Sequence, residues 1–153
     1  MSCSAVAASA LLWLAAAPAG APSEAAPPPP ATALEPFFAD IVARAESLKA
    51  RAEAMRKADG PADAAFKTDL ADLAELDMQA HQRLKARGTD GDLTCILRGI
   101  SEDLPVKMAA LQMAPDAAAR DLALREMIYL LNDNIEVIVT PPSVMSDLKP
   151  GGV

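Results

Sequence analysis

Residues 36–58 read PFFADIVARAESLKARAEAMRKA. Within them Phe38, Ile41, Ala45, Leu48, Ala52 and Met55 follow one another at steps of three and four, which lines one face of an α-helix with apolar side chains. Pro36 marks the start, because its fixed φ suits a first helical turn. Asp59, Gly60 and Pro61 mark a stop followed by a new start. The charged residues Arg44, Glu46, Lys49, Arg51, Glu53, Arg56 and Lys57 mix signs on the remaining surface and read as a solvated face with weak local ion pairs. A helix of this length with one apolar stripe is stable only when that stripe is buried against other elements.

Three further segments supply those elements. The spacing predicts a second helix over 61–87, with Phe66, Leu70, Leu73, Ala80 and Leu84 on its stripe and Gly88 as its stop. A third covers 92–113, with Asp92 as N-cap, Leu93, Leu97, Ile100, Leu104, Met108 and Leu111 inside, and a kink at Pro105. A fourth covers 116–139, carrying Leu124, Ile128, Leu131, Ile135 and Ile138, and ends before Pro141 and Pro142. The β-branched run near Val139 is expected to fray or extend. Short connections between long helices force antiparallel neighbours, so residues 36–140 are predicted to form an all-α, up-down-up-down four-helix bundle. The composition agrees: of 153 residues 34 are alanine and only 3% are aromatic, which suits Ala/Leu helix packing and not an aromatic-rich sandwich.

The ends read differently. Residues 1–19 contain an apolar run, Ala5 to Ala19, of about 15 residues, short of the roughly 20 needed to span a bilayer. The triplet Ala17, Pro18, Ala19 places signal-peptidase cleavage after Ala19. The expected destination is therefore periplasmic or secreted; the alternative is an uncleaved membrane tether. The n-region, Met1 to Ser4, departs from the usual signal pattern in holding no Lys or Arg. Residues 20–35 are Ala/Pro-rich, including Pro27 to Pro30, and are expected to be an extended, disordered linker. Residues 141–153 are expected to be a disordered tail.

The residue inventory limits the chemistry. Net charge is −7, the wrong sign for a phosphate-backbone binder, so no nucleic-acid partner is expected. There is one histidine and there are two cysteines, of which Cys3 precedes the cleavage point. No CxxCH, CxxC, HExxH or Glu-x-x-His occurs, so no haem attachment, zinc-protease site or di-iron site is expected. The shape is similar to that of secreted cytochrome bundles, but their ligand motifs are missing. No catalytic constellation is visible, and the chain is expected to be non-enzymatic and without a cofactor, acting on an unidentified protein partner or through self-association.

Two regions break the helical pattern. Turning about 100° per residue from Leu73 puts Asp69 and Asp77 roughly 40° to either side, inside the core arc, with His81 at its edge. Asp77 and His81 are four apart and able to meet on one face. These three residues are candidates for a polar pocket that takes a small ligand, metal or haem; the plainer reading pairs Asp77 with His81 and Asp69 with an Arg or Lys of another helix. The second region is an interaction surface. Cys95 falls opposite the third helix's seam, in line with Gly99, and is a candidate for a Cys95–Cys95 disulfide across a two-fold axis; the plainer reading is a thiol half-covered by a neighbouring helix or the linker. On the fourth helix Leu122 and Tyr129 lie behind the seam, with Leu130 and Val137 on a flank. A helix apolar most of the way round is either central or covered by a partner. The Asn132–Asn134 stretch interrupts that run with groups able to bond across the bundle.

Overall fold

The computed structural model describes residues 30–58, 62, 64–88 and 91–141. Four helices hold nearly all of them: α1 (Pro36–Ala58), α2 (Ala64–Ala86), α3 (Asp92–Met113) and α4 (Ala117–Val139). Each packs on the next, and α1 closes the ring against α4. The backbones of the diagonal pairs, α1 with α3 and α2 with α4, stay out of contact. This is the all-α, up-down-up-down four-helix bundle, and among the described residues there is no strand. The signal segment, the Gly60–Pro61 turn and residues 142–153 lie outside the described residues.

Local chemistry fixes the helix ends. Asp116 caps α4, its carboxylate accepting from the Ala119 N–H at 2.8 Å, which satisfies one of the donors a helix start leaves free. Gly88 follows α2 with φ +72°, a left-handed conformation that glycine adopts without steric cost. The N-cap of α3 is Gly91 and not Asp92. Asp92 sits one position inside, where its carboxylate faces the positive end of the helix dipole. α3 remains one helix through Pro105.

The expected disordered linker, 20–35, is too long at its C-terminal end. Ala31–Leu34 form a 3-10 turn, and Ala33 packs against the core. The turn is pinned from the far end of α2: Glu35 accepts two bonds from the Arg87 guanidinium at 2.8 Å each, and Arg83 stacks 3.7 Å over the Phe37 ring. The other end of the chain was expected to fray near Val139. It is helical to Val139, because Ile138 is fully buried and Ile135 and Val137 pack against the core.

The α1 seam buries Phe38, Ile41, Ala45, Leu48 and Ala52 as its spacing requires. The α4 seam is corrected. Its buried side chains are Ala123, Leu124, Met127, Leu131, Asn134 and Ile138, while Ile128 and Ile135 sit half-buried on a flank. Strict alternation of three and four from Leu124 lands on Met127, Leu131, Asn134 and Ile138, which is the stripe a heptad seam presents to its partners. The more apolar Ile128 and Ile135 each lie one residue, about 100° of rotation, past the seam positions Met127 and Asn134. The consequence is that a polar residue occupies a core position.

Candidate functional site

Asn134 meets its counterpart on the opposite helix. On α2 the buried series Phe66, Leu70, Leu73, Asp77, Ala80, Leu84 also alternates by four and three, so Asp77 holds a seam position. Asp77 and Asn134 both have no exposed surface. Asn134 Nδ2 donates to Asp77 Oδ2 at 2.5 Å. Because α2 and α4 are diagonal, this bond crosses the centre of the bundle. Contacts of α1 with its two neighbours, Arg51 with Asp69 and Lys49 with Asn132, place Ala45 near this level. Burial pushes the Asp77 carboxyl up to about 8, against the smaller downward pull of the Asn134 hydrogen bond. Low-dielectric surroundings penalise the ionised form most. Oδ1 of Asp77 and Oδ1 of Asn134 have no partner.

The three residues expected to share a polar pocket are not brought together. Asp69 is half-buried at the α1–α2 boundary and accepts from Arg51 Nη1 at 2.5 Å. His81 bonds Thr94 O through Nδ1 at 2.7 Å. A carbonyl only accepts, so Nδ1 carries the hydrogen. Asp77 does not pair with His81: the first turns to α4 and the second to α3. Among the described residues no group of three or more His, Cys, Asp and Glu side chains converges as a metal site would require. Sealed on every side, the Asp77 carboxyl meets no solvent-borne substrate in this conformation. Asn134 was missed as a core residue, and the strict heptad count on α4 was the signal able to find it.

The α3–α4 face holds most of the second candidate set. Tyr129 is 68% exposed and Leu122 49% exposed. Leu130 and Val137 are half-buried and packed against the core, so part of the apolar excess of α4 is absorbed by the bundle itself. Leu122, Tyr129 and Leu130 line an open groove of about 510 Å³ with Asp103, Lys107, Arg125, Glu126 and Asp133. Lys107 is tied to Glu126 at 2.9 Å and Arg125 to Asp121 at 3.1 Å. Asp103 and Asp133 have no ion-pair partner among the described residues. The Asp133 carboxyl is raised, by partial burial first and by Glu136 second.

On the outer surface of α3, Cys95 is an exposed free thiol. Gly99 is half-buried, and a side chain there would meet nothing within 4 Å. The two residues thus form an open notch on the surface of α3. Among the described residues no helix is long and apolar enough to cross a membrane. No family model, no curated protein and no solved structure matches the chain.

Proposed function

We propose that the protein is an exported, non-enzymatic binding bundle that receives a cationic amphipathic helix of another protein in its α3–α4 groove. The observation that carries this reading is the groove itself: Leu122 and Tyr129 stand exposed beside it, and two carboxylates without a counter-ion among the described residues, Asp103 and Asp133, lie along it. From Leu122 to Asp133 the groove runs eleven residues along α4, roughly 16 Å at 1.5 Å per residue. That length accommodates about three turns of a docked helix, with apolar anchors at i, i+3/i+4 and i+7. The unpaired carboxylates select Lys or Arg on the incoming helix. Charge also discriminates against a second copy, since two chains of net charge −7 repel one another.

The test uses the full chain and a labelled synthetic peptide with Leu at heptad spacing and Lys at the flanking positions, read by fluorescence anisotropy. A Glu-for-Lys version of the peptide serves as the control. Expected is saturable binding of the Lys peptide that is lost in Leu122→Ser/Tyr129→Ser and weakened at least tenfold in Asp103→Asn/Asp133→Asn. Equal binding by those variants, or a full-chain dimer in sedimentation that the Leu122→Ser/Tyr129→Ser pair dissociates, overturns it. The second outcome replaces it with self-association, and a dimer that disappears both on reduction and in Cys95→Ser assigns that role to Cys95.

A further inference from the structure

The two orphaned oxygens at the bundle centre belong to one hydrogen-bonded pair. An ionised Asp77 offers acceptors only, and a neutral amide offers donors from Nδ2 but none from Oδ1. With Asn134 Nδ2 already aimed at Asp77 Oδ2, the charged form leaves Oδ1 of each residue buried without a donor. Orphaned buried acceptors are rare in folded proteins, because each forfeits its bonds to water. A single hydrogen on Asp77 Oδ1 serves both. From these positions we infer that Asp77 is held as the neutral acid, its Oδ1–H donating to Asn134 Oδ1. One proton thereby closes a cyclic acid–amide pair between the diagonal helices, and its loss loosens the bundle.

No charged side chain substitutes for that proton. On α1, Lys49 is turned to Asn132, with its Nζ 2.6 Å from Oδ1. On α2, His81 lies one turn beyond Asp77 and is bound to the Thr94 carbonyl. On α3, Arg98 points outward to Glu102 at 2.8 Å, and the buried Ser101 hydroxyl donates to its own helix at Arg98 O. On α4, Asp133 is half-buried beside Asn134 and carries the wrong sign to help. The Asp77 carboxyl therefore has Asn134 as its hydrogen-bond partner and no counter-ion within reach. Burial of a lone carboxylate is resolved by protonation rather than by tolerating the charge. A polar pair at core seam positions also fixes which helices face one another, as a single buried asparagine does in coiled coils. This inference stands whether or not the groove binds a partner.

The test is a carbon-13 NMR titration of the side-chain carboxyls in the full chain from pH 5 to pH 9. The Asp77 signal is assigned by its absence in Asp77→Asn, which keeps both hydrogen bonds of the ring as an amide–amide pair. Expected is an Asp77 signal at the neutral-acid position at pH 6, when the exposed carboxylates are already ionised. In parallel the melting temperature falls with pH much further in the parent than in Asp77→Asn, which keeps only the smaller share common to both proteins. An Asp77 signal already ionised at pH 6 overturns the inference on the unaltered chain. An equal fall in melting temperature for parent and Asp77→Asn overturns it independently.

Discussion

Raising the pH from 5 to 8 is expected to weaken the fold by an amount set by one side chain. The Asp77 carboxyl stands near its ordinary 3.8 when unfolded and at about 8 in the bundle. Between those values the folded state holds one more proton than the unfolded state. Stability is therefore full below pH ~4 and is lost as pH rises toward 8. At ~1.4 kcal/mol per pH unit, the whole span amounts to ~6 kcal/mol, and the part between pH 5 and pH 8 to ~4 kcal/mol. That is a large share of the 5–15 kcal/mol that holds an ordinary domain together. The assay is urea unfolding followed by helical circular dichroism at pH 5 and at pH 8. With a slope of roughly 1–2 kcal/mol per molar urea, the midpoint of the parent falls by about 2 M or more. The control is Asp77→Asn, which removes the titration and preserves the shape of the pair. Glu35 and Asp121 are lowered, chiefly by their hydrogen bonds from Arg87 and Arg56, so their contributions are lost only in acid below this window. The raised Asp133 is common to both proteins and subtracts out. A parent midpoint that is level or rises from pH 5 to pH 8, or an equal fall in Asp77→Asn, refutes the reasoning.

Other expectations follow from packing and backbone. Leu131→Ala removes a fully buried seam residue and is expected to cost ~3 kcal/mol in urea unfolding, through lost transfer energy and the cavity left behind. Gly88→Ala forces a side chain onto a φ of +72° with no steric neighbour to blame, and is expected to cost ~1 kcal/mol. Gly91→Ser has the opposite sign. It places a hydroxyl at the uncapped start of α3, on extended backbone with open space around it, and should raise stability by ~0.5 kcal/mol. Glu35→Gln loosens the bidentate contact with Arg87; amide exchange at Ala33 and Glu35 should accelerate while the melting temperature of the bundle holds. Unchanged exchange there would show that Ala33 packing alone pins the turn.

Much of this architecture is written in spacing. The α1 stripe from Phe38 to Ala52 is buried as its three-and-four rhythm demands, and the stop at Gly88 and the start at Asp116 fall where glycine and a capping aspartate place them. These are local properties, decided within one helix by rotation per residue and by the donors and acceptors at its ends. The placement of Asp77 inside the core arc belongs to the same class. The outward turn of Leu122 and Tyr129 was also readable from their seven-residue separation.

Partner choice was not local. His81, four residues along the same helix, was the nearest candidate for Asp77 in sequence, yet the bond goes to Asn134, 57 residues away on the diagonal helix. That outcome depends on how four helices slide and rotate against one another. The deciding rotation was that of α4, where the seam follows Met127 and Asn134 in preference to the more apolar Ile128 and Ile135. Only the assembled bundle sets the levels at which seam residues meet and seals the pair from water. The sequence by itself therefore determined the helices, their order and the polar residue aimed inward. The tertiary structure decided which group that residue would face, because burial and cross-bundle register are properties of all four helices together.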